Sequence, residues 1–331
     1  MKLVIDTHRH LGGSIPSEFV WQVIKEHQLS HIAASWEDVR AAMTFAPHEP
    51  KGFYQFLDKF RILDQIPWDL ELIEQSIKSV CEQLELEKID YCWMDFSINK
   101  YMQRLNMSKH DVIQYIYGLF QKYRKNQVGL VLSIKYESPR EQQIEYANLI
   151  EDRDVSRCLI GIDLVGDEEK FDAQFYAGLL PRWRDHGKMV RTHVAESQHA
   201  QNALDSINKL HVTNIAHGLK LVDHPKMIDR ALTKNITFDM GVTSNYLTGV
   251  WEDEDKHPIM DMLNAGLNVT YGTDDPVQCS TDMRTEHSIL RYWFGVTQEH
   301  VDKMSAVAIG NSRLYDQRLL THFVFEELQL D

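Results

Sequence analysis

Eight short apolar segments, rich in β-branched residues, recur along this chain of 331 residues and constrain its fold more than any other feature. Helical patterns separate most of them, as at 111–125, 140–151 and 225–232. Strands that alternate with helices are typical of parallel β/α units, and eight such strands close a barrel. We therefore predict an α/β fold, a single (β/α)8 TIM barrel over residues 1–331. The predicted strands are Leu3–Thr7, Asp90–Phe96, Val128–Ile134, Leu159–Leu164, Met189–His193, Asn214–His217, Ile236–Met240 and Asn268–Gly272.

A doubly wound open sheet is the alternative fold for this alternation. That fold is expected to carry a glycine-rich phosphate turn, G-x-G-x-x-G, after its first strand. The segment His10-Leu11-Gly12-Gly13-Ser14 does not match such a turn. The length of the chain does not require a second domain either, because α/β barrels of this size are often one domain.

The connection between the first two predicted strands is about eighty residues long, far longer than a simple crossover helix. It contains helical patterns at 16–27, 51–65 and 68–86. Four apolar residues of the second pattern are spaced to share one face: Phe53, Phe56, Leu57 and Phe60. Such a face is often ordinary helix core. The length of the insertion favours a helical cap, at about 14–86, over the barrel mouth where active sites of this fold lie.

Composition narrows the classes of partner. The net charge of -14 and pI near 5.6 argue against nucleic-acid binding, which needs a basic surface. The chain has no run of eighteen apolar residues, so we expect no membrane span. Four scattered cysteines without a C-x-x-C pair, and an N-terminus without a signal-peptide pattern, predict a cytoplasmic protein. The oligomeric state stays open.

Histidines and carboxylates occur where several of the predicted strands end. They are His8 and His10 in the first strand region, His193 with Glu196 at the fifth, His217 at the sixth, and Asp274 with Asp275 after the eighth. Each alone has an ordinary interpretation, such as a turn or a helix cap. In a barrel, however, the carboxyl ends of all strands meet at one rim, where catalytic groups converge. We therefore predict that these residues form one site.

Three histidines and one carboxylate of this set match a zinc site. His8, His10, His193 and Asp274 suit Zn²⁺ and leave a position for water, whose pKa the ion lowers enough to supply hydroxide near neutral pH. The fourth strand region, 161–168, has no lysine of the kind that generally bridges the ions of two-metal barrel hydrolases. We therefore predict one Zn²⁺ per chain. A two-metal hydrolase of amides or phosphoesters is the alternative.

The remaining polar residues then have distinct predicted roles. Glu196 lies three residues after a ligand, near the metal but free to move a proton. Asp274 helps to take the proton of the attacking water, and His217 orients that water or steadies the developing charge. Asp275 follows a ligand directly and is placed to bind a substrate nitrogen.

Longer runs extend the pattern over nearly the whole chain. They are His8-x-His10 with Leu11 and 13–15, Phe56-Leu57 with Phe60, 161–164 with Gly166-Asp167-Glu168, His193 with Glu196, His217-Gly218, Ser244-Asn245-Tyr246-Leu247-Thr248-Gly249, His257-Pro258 and Thr273-Asp274-Asp275-Pro276. In these runs the chain resembles the adenosine deaminase family of the amidohydrolase superfamily. The resemblance implies hydrolytic deamination of a 6-aminopurine over a mononuclear zinc, with release of ammonia.

The resemblance also implies a set of substrate contacts. The Gly166 backbone would meet purine N3, Glu196 would meet N1, and Asp275 would meet N7. To meet a ring nitrogen as a donor, Glu196 must be protonated, which a dry pocket favours. Phe56 belongs to the apolar part of the same pocket.

The chain departs from the family at the sugar end of that pocket. Gly12 stands where adenosine deaminases carry an aspartate that contacts the ribose 5′-hydroxyl, where adenine-type relatives tend to carry Glu and a methylated-AMP branch Asn. In addition, Asp95-Phe96-Ser97-Ile98 replaces an Arg-Phe/Tyr-Ser-Pro run. We expect a small purine nucleoside or base as ligand, with adenosine or a derivative first. The alternatives are adenine, 5′-modified adenosine or an AMP-type substrate, and a non-catalytic purine-binding barrel.

Overall fold

The computed structural model describes residues 3–46, 48–250, 256–316 and 318–319, and its strands form one eight-stranded parallel sheet. Each strand pairs with the next in sequence. A backbone bridge between Arg9 and Asp274 joins the first strand to the segment after the last, so the sheet curls into a nearly closed barrel. The predicted TIM barrel is thereby confirmed. The strands are β1 (Ile5–His10), β2 (Tyr91–Phe96), β3 (Val128–Lys135), β4 (Leu159–Val165), β5 (Met189–Val194), β6 (Asn214–His217), β7 (Thr237–Met240) and β8 (Asn268–Tyr271).

The bounds of β1 differ most from the prediction, Leu3–Thr7, which was wrong at both ends. The strand begins two residues later and continues to His10, which pairs in register with Asp95 of β2. Pairing between strands extends β1 through polar residues that no apolar pattern marks. The register shifts between Asp6 and Arg9. Both predicted histidine ligands of this segment are therefore residues of the strand itself.

Helices occupy most of the connections. Among the described residues, no helix is long and apolar enough to span a membrane. The helices are α1 (Ser17–Glu26), α2 (Trp36–Met43), α3 (Phe53–Asp58), α4 (Arg61–Gln65), α5 (Leu70–Leu86), α6 (Asn99–Leu105), α7 (Lys109–Arg124), α8 (Arg140–Ala147), α9 (Arg153–Ser156), α10 (Ala173–Tyr176), α11 (Pro181–Asp185), α12 (Ala200–Asp205), α13 (Pro225–Thr233), α14 (Val242–Leu247), α15 (Ile259–Asn264), α16 (Pro276–Cys279), α17 (Met283–Tyr292) and α18 (Gln298–Tyr315).

The connection from β1 to β2 holds five of these helices, where the sequence predicted three. Helix α2 was not predicted, although Ser35 and Asp38 form a capping box at its start. The predicted helix 51–65 is two short helices, α3 and α4, with Lys59 capping the first. Their placement over the barrel mouth as a cap stays a prediction.

The barrel interior below the rim carries charged residues. Arg191 is fully buried, and its guanidinium is shared by three carboxylates: Nε donates to Asp163 at 2.7 Å, Nη1 to Asp239 at 3.3 Å, and Nη2 to Asp95. Removing one member of such a buried cluster leaves the others uncompensated, which is strongly destabilising. The apolar core lies mainly between the strands and the outer helices, and α18 closes the opposite end against Trp93 and its neighbours.

Candidate active site

All four predicted metal ligands meet at the rim of the barrel. His8 and His10 come from β1, His193 from β5, and Asp274 from the segment after β8. One ligand atom from each lies within 4.8 Å of all the others. His8 Nε2 is 3.0 Å from His193 Nε2 and 3.4 Å from Asp274 Oδ1, which is also 3.2 Å from His10 Nε2. Around a tetrahedral ion with bonds of about 2.0–2.1 Å, ligand atoms lie roughly 3.4 Å apart, so the residues fit zinc.

Local backbone geometry brings Asp274 to β1. The Asp274 amide donates to the His8 carbonyl at 2.7 Å, and the His10 amide donates to the Asp274 carbonyl at 2.8 Å. Asp274 adopts a left-handed conformation, with φ of +58°. Such strain in a residue other than glycine persists only where its surroundings impose it, and it is typical of functional sites.

Hydrogen bonds orient two of the ligand histidines. The Nδ1 atom of His8 lies 3.3 Å from the Asp239 carbonyl, and that of His193 lies 3.2 Å from Asp163 Oδ1. These bonds would keep a proton on Nδ1 of each ring and leave Nε2 free to bind a metal ion. Burial raises the pKa of Asp163, but the Arg191 guanidinium and His193 outweigh it, so the pKa lies well below its usual range.

Glu196 lies beside this cluster in a buried position. Asn245 Nδ2 donates to its Oε1 at 3.0 Å, and its Oε2 is 3.7 Å from His217 Nε2. Burial raises the pKa of Glu196 above its ordinary value, against the opposing effect of His217. The carboxyl is thereby suited to hold a proton and to donate it.

Asn245 also sets the orientation of His217. Its Nδ2 is 2.9 Å from His217 Nδ1, so the amide donates to that nitrogen and the imidazole carries its proton on Nε2. This atom lies 3.8 Å from Asp274 Oδ2. The sequence placed Asn245 in a recognisable run but predicted no role for it, because its two partners come from the segment after β5 and from the end of β6.

Glu168 is a second residue whose role the sequence did not reveal. It is 6% exposed, and it accepts hydrogen bonds from four residues of the loop and helix after β5. The donors are the backbone amides of Ala195, Ser197 and Gln198 and the side-chain amide of Asn202. We call this set of hydrogen bonds, from residues 195–202 to the Glu168 carboxylate, the Glu168 clamp. Glu196 lies within the segment that the clamp holds, so its position depends on Glu168.

Asp275 lies on the other side of the rim. Burial raises its pKa to about 8 against the effect of His10. Its Oδ1 has no hydrogen-bond partner among the described residues. A Cβ atom at Gly13 would lie 1.9 Å from that oxygen, so only glycine fits there.

A cavity of about 530 Å³ opens above the cluster. All of the predicted substrate-binding residues line it: Gly12, Phe56, Gly166 and Asp275. One wall is apolar and comes from α3, α4 and Trp68. The volume falls within the range of small-molecule sites, about 300–1,000 Å³.

The cluster of ligand atoms and the cavity above it can be compared with known proteins. A model of the adenosine deaminase family matches residues 4–321. The chain belongs to the adenosine deaminase family. This chain is a hydrolase that acts on C–N bonds of cyclic amidines, and its described residues include a cluster that could hold a metal ion.

Similar proteins differ in the substrate that their names give. The adenosine deaminase of Shewanella denitrificans is 23% identical over 305 residues, which cover 91% of each chain. The structure of an adenine deaminase from Arthrobacter aurescens matches 99% of this chain and 100% of its own with a TM-score of 0.83 at 16% identity. An N6-mAMP deaminase of Arabidopsis matches 98% of each with a TM-score of 0.81 at 19% identity. At these identities the structures show a shared fold. The names of these three proteins give a nucleoside, a base and a nucleotide as their substrates.

Proposed function

We propose that this family member hydrolyses the C6–amine bond of adenosine or a derivative, releasing ammonia and the 6-oxopurine, with one zinc ion per chain. The observation that carries the proposal is the proximity of two groups. Four ligand atoms lie within 4.8 Å of one another, and a buried carboxyl with a raised pKa, Glu196, lies beside them.

His8, His10, His193 and Asp274 would hold the ion. A zinc ion in such a set supplies hydroxide near neutral pH by lowering the pKa of water. The other steps belong to residues of the chain. Asp274 Oδ2 lies 3.8 Å from His217 Nε2, so Asp274 receives the proton of the attacking water while the Nε2–H group of His217 stabilises the charge that develops at C6.

Glu196 would deliver a proton to N1 of the purine. Asn245 holds its Oε1 at 3.0 Å and leaves the rest of the carboxyl toward the cavity, where Glu196 is one of the lining residues. Protonation of N1 as C6 becomes tetrahedral keeps the ring neutral. The proton that Asp274 took from the water then passes to the amine, which leaves as ammonia, and the C6 hydroxyl returns a proton to Glu196 as it becomes the 6-oxo group.

Three further residues would position the ring. The Gly166 backbone, at φ of +99°, lines the cavity and offers its amide to N3. Burial raises the pKa of Asp275 to about 8, so its carboxyl can hold a proton and donate it to N7. Phe56 is 4% exposed and packs 5.9 Å from Phe60 between ring centroids, which supplies an apolar surface for the ligand.

The test is an ammonia-release assay on the zinc-loaded protein, with metal content measured on the same sample. The panel contains adenine, adenosine, 2′-deoxyadenosine, 5′-substituted adenosines and AMP. Turnover of adenosine with one zinc per chain supports the proposal. Two metals per chain with turnover of amides or phosphoesters contradicts it, and purine binding without ammonia release indicates a non-catalytic barrel.

A 5′-modified or AMP-type substrate is the second candidate, because the cavity continues past Gly12 to cationic side chains. Lys100 and Arg104 lie one turn apart on α6 and both bond to one carboxylate, Asp64. All three line the cavity. The two cations, Lys100 and Arg104, outnumber the single anion, Asp64, so this group of side chains has a net positive charge. That charge favours a substrate with a negatively charged substituent.

A further inference from the structure

Two buried polar side chains on neighbouring strands each carry an atom that has no hydrogen-bond partner among the described residues. Asp95 of β2 is 1% exposed and Ser133 of β3 is 3% exposed, and both line the cavity. Asp95 Oδ2 accepts from Arg191, whereas no donor among the described residues reaches Oδ1. The Ser133 hydroxyl likewise has no hydrogen-bond partner among the residues that the structure describes.

Such atoms are costly to a fold and call for an explanation. A hydroxyl or carboxylate oxygen that is buried without a hydrogen bond loses its interaction with water and gains nothing in return. Nearly all buried polar groups in native proteins are paired. Substrate pockets are the exception, because their few polar groups are satisfied by the ligand.

Asp95 adjoins the segment that contains Gly12, because the Leu11 amide donates to the Asp95 carbonyl at 2.8 Å. Asp95 pairs in register with His10, two residues before Gly12. Ser133 lies on the next strand, two residues beyond the register partner of Asp95 and closer to the rim. A Cβ at position 12 would meet only the Phe60 ring, at 3.9 Å, so this end of the cavity is open.

We propose that Asp95 and Ser133 form a subsite that binds a sugar hydroxyl, so that the chain takes a ribosyl aminopurine in preference to the free base. The inference rests on the proposed function and specifies its substrate class. A carboxylate oxygen only accepts, whereas the serine hydroxyl both donates and accepts. A sugar hydroxyl satisfies both, because it donates to Asp95 and accepts from Ser133.

The charge of the neighbourhood supports a neutral ligand group at this subsite. Asp95, Asp163 and Asp239 share the single guanidinium of Arg191, so this cation is already engaged and does not attract an anionic ligand. An anionic group placed against Asp95 would be repelled. A negatively charged substituent therefore has to lie farther out, while the hydroxyl occupies the subsite.

The test measures binding of inosine and hypoxanthine, the expected products, which differ only in the ribosyl group and are not consumed. Isothermal titration calorimetry on the zinc-loaded protein compares the wild type with Ser133→Ala and Asp95→Asn. Ser76→Ala is the matched control. Ser76 is also 3% exposed, but its hydroxyl donates to the Ile73 carbonyl within α5, away from the cavity.

Inosine is expected to bind more tightly than hypoxanthine to the wild type. Ser133→Ala should weaken inosine binding about fivefold and Asp95→Asn about tenfold or more, since a bond to a charged acceptor is stronger. Hypoxanthine affinity should be unchanged in both variants. The melting temperature of Ser133→Ala should stay the same or rise, because an unpaired buried hydroxyl is removed. If the Ser133 hydroxyl had only a structural role, Ser133→Ala would instead lower the melting temperature.

Two results overturn the subsite: equal binding of inosine and hypoxanthine by the wild type, or inosine binding by Ser133→Ala that equals that of Ser76→Ala. If Asp95→Asn fails to fold, because it disturbs the Arg191 cluster, Ser133→Ala decides alone. A wild type that shows the expected binding pattern but releases no ammonia contradicts the proposed function and leaves the subsite supported.

Discussion

The Glu168 carboxylate holds Ala195 in a left-handed backbone conformation. The Ala195 amide donates to Glu168 Oε1, and Ala195 has φ of +53°. That conformation costs an alanine about 1–2 kcal/mol, so the hydrogen bonds of this clamp must offset it. The next residue is Glu196, and the geometry of the proposed proton donor is therefore set by a carboxylate on a different β/α connection.

Glu168→Gln is expected to lower kcat/KM about 10- to 100-fold with little loss of zinc. The substituted amide presents an NH₂ group to backbone amides that now donate to a carboxylate, so the loop is released and Glu196 moves. Steady-state kinetics and metal analysis test this. Glu169→Gln, at the exposed neighbouring position, is the control. Wild-type kinetics in Glu168→Gln would show that the clamp does not position Glu196.

Glu196→Gln is expected to keep its zinc and to lose turnover by about 10²- to 10⁴-fold, the usual contribution of general acid–base catalysis. The amide retains the size of the side chain but holds no transferable proton. Single-turnover kinetics on adenosine and elemental analysis provide the measurement. Normal deamination by this variant would remove Glu196 from the mechanism.

Gly12→Asp tests the sugar end of the cavity. Position 12 has room, because an added Cβ meets only Phe60 at 3.9 Å. An aspartate there supplies an acceptor for a sugar hydroxyl and should raise the preference for adenosine over adenine about fivefold, the effect of one hydrogen bond. Substrates with bulky 5′ groups should lose activity.

The neighbouring glycine provides the contrast. A Cβ at Gly13 would lie 1.9 Å from Asp275 Oδ1, so Gly13→Ala should abolish activity whereas Gly12→Ala should be tolerated. Activity assays on Gly13→Ala and the adenosine-to-adenine activity ratios of Gly12→Ala and Gly12→Asp provide the measurement. An unchanged adenosine preference in Gly12→Asp would refute the argument about this end of the pocket.

His257 is expected to make the fold sensitive to acid. Burial, with a smaller effect of His217, lowers its pKa to about 3. The geometry agrees, since His257 Nδ1 accepts from the Ile259 amide at 3.2 Å and must be unprotonated to do so. The unfolded chain takes up a proton below about pH 6.5 while the folded chain does not. This contribution to stability is therefore present above pH 6.5 and is lost as the pH falls toward 3.

Urea unfolding at pH 7.5 and pH 5 measures this contribution. The wild type should lose roughly 2 kcal/mol more than His257→Gln between these values, from about 1.5 pH units at 1.36 kcal/mol each. His31→Gln, at an exposed position, is the control and should behave as the wild type. Equal pH dependence in all three proteins would contradict the neutral, buried state of His257.

Some of the site was predictable because it depends on a property common to all parallel barrels. Once strands were recognised from their apolar runs, the carboxyl ends had to share a rim, and His8, His10, His193 and Asp274 were brought together by that rule alone. The bounds of β1 were not predictable in the same way. Its polar end is held by pairing with β2, and no local pattern reports a partner some eighty residues away.

The sequence by itself determined the alternation of strands and helices, the family resemblance and the ligand types, because apolar periodicity and residue chemistry are local. Only the tertiary structure decided which groups act on one another. The contact of Glu168 with Ala195 and the bonds of Asn245 to Glu196 and His217 all join different β/α units. Their distances depend on strand register and barrel closure, which arise only when all eight strands are paired.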